Sequence, residues 1–148
     1  MNYRSLLTAA GILSLGVAAV HIMMSFSVDL SEFFGAGPKI GQMMRDHDPL
    51  IYLIYVLIIA VLALFGLYGL SGAGRFARLP LLKTGLFTIG AIYTLRGIAL
   101  FPETLAMLGI MDAQIPPQNL LSSAVSLATG LCFIFGAVGL IRHPVRVH

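Results

Sequence analysis

The residues that could do chemistry are few, and they sit where polar groups are costly. His21 and Arg96 each fall inside a long apolar stretch, about six and five residues from its far end. At ~1.5 Å of helical rise per residue they lie at nearly one depth, roughly 9 Å for His21 and roughly 7–8 Å for Arg96 below a membrane surface. Tyr93 and Thr94 beside Arg96 share that level, as do Ser122, Ser123 and Ser126 in a fourth apolar stretch and Tyr52 and Tyr55 in the second. Three acids, Asp29, Glu32 and Glu103, lie just beyond the apolar segments. An arginine in a span costs at least ~2.5 kcal/mol at mid-bilayer, less near the interface, and either snorkels or turns inward to a partner. Glu103 would lie two turns along a continuous helix from Arg96 and is the nearest acid, with Asp29 and Glu32 as long-range alternatives. His21 is too short to snorkel and reads equally well as a neutral, hydrogen-bonded core residue. Together a fixed cation and an imidazole suit an anionic or carbonyl head whose apolar tail lies among Met23, Phe26 and Phe101. The expected ligand-binding set is therefore His21, Arg96 and Tyr93, the helix-four residues Ser122, Ser123 and Ser126, and the acids Glu32 and Glu103.

Other constellations carry less. Asp46-His47-Asp48 mixes carboxylate and imidazole ligands, but three consecutive residues cannot all face one point, and Asp48 is claimed as a helix cap; no metal is expected. No zincin, nucleophile-elbow, Walker or dinucleotide motif occurs, so no catalytic residue can be named, no cofactor is implied, and an enzyme is the less favoured class. Cys132 stands alone in an apolar run, which leaves no partner for a disulfide or a CxxC motif.

The elements that would hold these residues are set by composition. Of 148 residues, 58% are hydrophobic and 10% charged, against about 25% charged in a soluble domain, so the surface cannot be one built for water. Mean hydropathy is +0.94. The expected fold is all-α: one integral membrane domain, a bundle of four transmembrane helices at about residues 5–27, 49–71, 81–101 and 118–141. Each is long enough for a hydrocarbon core of ~30 Å. Asp48-Pro49 reads as an N-cap followed by proline at the first helical position. The first stretch exceeds the apolar core of a secretory signal and no A-x-A site follows it, so it is read as a span. In the first loop Gly35-Ala-Gly37-Pro38 turns the chain. After it, Lys39–Arg45 is expected as a short interfacial helix, and the loop Asp29–Arg45 as a roof over the polar level.

Arg4, Arg75, Arg78, Lys83, Arg142 and Arg146 fall on one side of such a bundle, whereas the other side holds Lys39 and Arg45 among acids. By the positive-inside rule both termini are cytoplasmic, and the polar level faces the periplasm across a bacterial inner membrane. The net charge of +3 is scattered and gives no nucleic-acid footprint.

Gly11–Gly16 and Gly85–Gly90 share the pattern G-h-h-[ST]-h-G, and Phe65–Leu70 and Phe135–Leu140 share FGxxGL. Two tandem hairpins related by an axis along the membrane normal would produce this. The small residues also form packing seams, Ala10/Ser14/Ala18 on the first helix and Ser122/Ser126/Gly130 on the fourth.

Glu32–Gly37 (EFFGAG), Gly66–Gly74 (GLYGLSGAG) and Ala91–Gly97 (AIYTLRG) resemble a group of four-helix proteobacterial inner-membrane proteins in which FFGAG, LSGAG and LRG recur in this order. More loosely the chain is similar to DoxX-like membrane proteins, some of them linked to quinol-oxidising complexes. The resemblance implies fold and location, and it places Arg96 in a recurring motif.

Three functional classes follow. The first is a small binding or accessory protein whose partners are membrane lipids, a quinone or a larger membrane complex. The second is a transporter or channel built as a homo-oligomer, which the sparse polar residues of the cytoplasmic halves disfavour. The third is a structural or immunity-type protein acting by contact. The topology is directly testable: a reporter active only in the cytoplasm should work when fused after His148, and a fusion active only in the periplasm would reverse the orientation.

Overall fold

The computed structural model describes residues 2–110 and 116–142, and they are helical almost throughout. Among the described residues seven helices follow in order: α1 (Tyr3–Ser25), α2 (Val28–Phe33), α3 (Gly37–Arg45), α4 (Pro49–Gly72), α5 (Leu82–Ile98), α6 (Leu100–Met107) and α7 (Pro117–Arg142). Four segments are long and apolar enough to cross a membrane: α1, α4, α5 continued by α6, and α7. This is the expected four-helix membrane bundle. Asn2 and Arg142 lie at one end, called here the terminal end, with the α4–α5 loop; α2, α3 and α6 lie at the other, capped end.

Local signals set the boundaries. Asp48 caps α4 by accepting the backbone N–H of Leu50 at 2.9 Å, with Pro49 opening the helix. Gly35 and Gly37 take φ of +86° and +77°, the left-handed turn that glycine tolerates, and α3 starts behind them as the expected interfacial helix. Helix α2 corrects the loop expected at this point, since Val28–Phe33 is helical. Its signal was present: Ser27 caps it, accepting the N–H of Leu30 at 3.3 Å, and Asp29 sits in the first turn, where a helix dipole favours an acid. The third span also departs from expectation, because helix resumes at Leu100 after a break at Ala99 and runs on past residue 101 to Met107. Pro102 has no N–H to give Ile98, which accounts for the break, and α6 then carries Glu103 into a buried position.

The spans meet at small residues. Lipid tails are as apolar as leucine, so helices in a bilayer associate by close packing, and glycine permits the closest approach. Helix α1 lies on α4 where Gly11 meets Gly66 and Gly69, and α5 lies on α7 where Gly90 and Thr94 meet Gly130. The predicted stripe Ala10, Ser14 and Ala18 is buried. Both hairpins therefore form, but their equivalent glycines are used differently. Gly136 and Gly139, the counterparts of Gly66 and Gly69, receive Leu7 and Tyr3 of α1 and not α5. Both FGxxGL motifs thus seat the same helix, and α1 is held between α4 and α7.

Two apolar cores result. One spans all four long helices in the terminal half, with Leu7, Leu86 and Phe133 at 0% exposure. The other joins Met24 of α1, Ile51 and Tyr55 of α4 and Met44 of α3, fixing the cap to the first hairpin. Helix α4 is largely exposed along Leu53, Val56, Leu57 and Val61, as expected of a lipid-facing surface.

The seam gives a paired prediction. A Cβ on Gly69 would stand 2.7 Å from the Gly11 Cα and 3.0 Å from the Leu7 carbonyl oxygen, and backbone cannot yield as a side chain can. Gly69→Val should therefore cost ~1–3 kcal/mol of stability, read as a lowered unfolding temperature in detergent. Gly16 has nothing within 4 Å of a Cβ, so Gly16→Ala should be neutral or slightly stabilising. Equal shifts from the two would refute the seam.

Candidate functional site

The sequence-predicted polar residues do not converge on one point. The fold divides them between the two hairpins.

Arg96, on α5, reaches across to α7. Its Nη1 donates to Ser123 Oγ at 3.0 Å and its Nη2 to Ser122 Oγ at 3.3 Å. Ser123 is fully buried and Arg96 itself is exposed, so the guanidinium is anchored on its bundle side and open on the other. Ser123 is six residues into α7, about 9 Å along its axis, in keeping with the expected depth. The partner differs from expectation. Among the described residues the only ion pair is Arg45–Glu32, and Glu103 makes no bond to Arg96. The break at Ala99 removes the continuous register that would have put Glu103 on the Arg96 face. Glu103 is 9% exposed, and its Oε2 has no hydrogen-bond partner.

Tyr93 is 6% exposed, stacked on Phe133 with ring centroids 6.0 Å apart and edge-on to Phe65. Ser14 Oγ of α1 approaches its hydroxyl, yet neither atom completes a hydrogen bond, and Thr94 Oγ1 is likewise unpartnered. Ser126 donates to the Ser122 carbonyl of its own helix at 2.8 Å.

His21 and Glu32 belong to the other hairpin. His21 is half-buried, its Nδ1 2.8 Å from the Val17 carbonyl oxygen one turn back, so the ring donates to its own helix. Glu32 Oε1 accepts from Arg45 Nη1 at 3.0 Å and lies against Gly41, tying α2 to α3. The loop does roof the capped end, but it packs on α1 and α4 and approaches α7 where Gly35 meets Asn119. Beneath it Ser31 Oγ and Tyr55 Oη, both buried, are 2.6 Å apart. Sequence reasoning placed Tyr55 at the polar level and missed Ser31, whose signal was its place one turn after the Ser27 cap.

The Asp46-His47-Asp48 run is dispersed. Asp46 accepts from Gln42 at 2.9 Å, His47 takes a left-handed φ of +53° with its Nδ1 3.5 Å from the Tyr52 hydroxyl, and Asp48 caps α4. What the capped end offers chemically is thus a hydrogen-bonding surface at Arg96: a cation anchored on Ser122 and Ser123, with free donors on its open face. Compared with known proteins, the chain matches no family model, no curated protein and no solved structure.

A Cβ on Gly41 would fall on the Glu32 carboxylate, so Gly41→Ala must displace it. The expected result is a destabilisation that also removes the effect of Glu32→Gln, seen in a double-mutant cycle of unfolding temperatures. Simple additivity would show that the carboxylate does not rest there.

Proposed function

We propose that this integral membrane protein is a small binding or accessory protein that holds the polar head of a lipid- or quinone-like ligand at Arg96. The observation that carries the reading is the clamped guanidinium: a cation inside a span, held by Ser122 and Ser123, with no carboxylate bound to it among the described residues. Five N–H donors are available to arginine and the serines take two, which leaves three aimed where a phosphate, carboxylate or carbonyl oxygen can accept them. Neighbouring Leu95 and Phe101 are 70% and 74% exposed and offer apolar surface for a tail. The roof and His21 support the opposite hairpin and take no part in this narrower site. Transport through one protomer is disfavoured by the terminal-half core, where Leu7, Leu86 and Phe133 close the bundle with fully buried apolar side chains.

The test is Arg96→Gln, with His21→Gln as a comparison outside the site. Gently extracted wild-type protein should carry lipid or quinone detectable by native mass spectrometry. Arg96→Gln should lose about tenfold in occupancy with little change in unfolding temperature, whereas His21→Gln should keep the ligand. A wild-type protein without ligand, together with a large stability loss in Arg96→Gln, would make the serine clamp purely structural and end this reading.

A further inference from the structure

All six acidic residues of the protein fall in two sequence segments, 29–48 and 103–112, and the five that are described lie toward the capped end. The terminal end holds Arg4, Arg75, Arg78 and Lys83 without an Asp or Glu to neutralise any of them. Three of these cations are gathered: Arg4 of α1, Arg78 of the α4–α5 loop and Lys83 of α5 line one cavity of about 620 Å³.

Two features shape it. Ser71, near the end of α4, donates to the Ala77 carbonyl at 2.8 Å and accepts the N–H of Leu79 at 3.1 Å, which fixes the loop on both sides of Arg78. Leu81, the residue before α5, is in the left-handed region with φ +51° and supplies no side-chain cap. The first N–H groups of α5 therefore lack a side-chain acceptor at the wall formed by Leu82, Lys83 and Thr84, and the positive end of the helix dipole adds to the three side-chain charges. Apolar walls from Phe76, Leu79 and Leu140 complete the cavity.

We propose that this cavity binds a phosphate mono- or diester anion, at a site separate from Arg96 and independent of the reading given for it. Cations from three elements around one space, with no Asp or Glu among the described residues of that end of the bundle, need an anion from outside, and phosphate oxygens match both guanidinium and helix N–H donors. A cavity at the end of a transmembrane bundle meets such groups on lipid headgroups and on soluble phosphate esters alike.

The experiment measures unfolding temperature in a non-ionic detergent with added dioleoylphosphatidylglycerol, dioleoylphosphatidylcholine or glycerol 1-phosphate. Phosphatidylglycerol should raise it by several degrees more than phosphatidylcholine does. If glycerol 1-phosphate has no effect, the source is a lipid headgroup; if it stabilises equally, the source is a soluble ester. The double variant Arg78→Gln/Lys83→Gln should lose more than half of the stabilisation, and Lys83→Arg should retain it. Arg75→Gln, in the same loop but outside the cavity, should leave it intact. No preference for the anionic lipid together with no response to glycerol 1-phosphate would overturn the proposal. So would an equal loss in Arg75→Gln, which would mean that only diffuse surface charge attracts the lipid.

Discussion

The close approach of helix backbones at glycine is the constraint on which the rest of this structure depends. In hydrocarbon no hydrophobic force pulls apolar helices together, so the bundle relies on contact, and contact requires positions without a side chain. Gly11 against Gly66 and Gly69, and Gly90 against Gly130, set the spacing and axial level of the two hairpins. Those levels decide which polar residues can meet. Arg96 reaches Ser122 and Ser123 because α5 and α7 are in close contact one and two turns further along α7, at Gly97 on Leu127 and Thr94 on Gly130.

Against that frame most polar residues of the spans solve their own problem. Thr8, Ser25, Ser126 and Thr129 each donate to a carbonyl three or four residues back, and His21 does the same through Nδ1. A group satisfied by its own helix asks nothing of its neighbours and says little about function. The exceptions are therefore informative. Arg96 and Tyr55 bond between helices, while Tyr93 and Thr94 on α5, Ser14 on α1 and Glu103 on α6 hold buried oxygens without a partner. Three of these four unpartnered residues lie on the third span, which is also the one broken by proline, so the unspent hydrogen-bonding capacity among the described residues is concentrated there.

Legibility from sequence followed the range of each interaction. Signals confined to a few residues could be read directly: four apolar lengths, Asp48-Pro49 as a helix start, and Gly35 and Gly37 as a turn. The α2 helix had an equally local signal in Ser27 and Asp29, but at six residues it is too short to show a helical period. Depth was legible too, since counting along helices put Arg96 level with Ser122 and Ser123. Azimuth was not. Whether His21 faces the same space as Arg96 depends on which helices are neighbours, and the order α4, α1, α7, α5 around the bundle is a long-range property that no helical period reveals. The assignment of Glu103 to Arg96 failed for a related reason: it assumed one unbroken helix through Pro102.

The repeat shows how the same local pattern acquires different work from its surroundings. FGxxGL at Phe65–Leu70 and at Phe135–Leu140 presents the same glycine face, and in a two-fold arrangement each would seat the first helix of its own hairpin. Here α1 occupies both faces, Gly11 and Leu7 on one side, Leu7 and Tyr3 on the other. Helix α5 is left to meet α4 through Tyr68 over Gly85 and Leu86 at Gly72, close to the terminal end. With α1 wedged between the hairpins, α4 and α5 touch in the half that carries the loop joining them, and the cavity lined by Arg4, Arg78 and Lys83 lies where that loop, α1 and α5 come together. The broken symmetry is thus what brings a cation from the first helix beside two from the third span and its loop. A strictly two-fold pair of hairpins would have seated α1 on one FGxxGL face alone, without the double contact that wedges it between them.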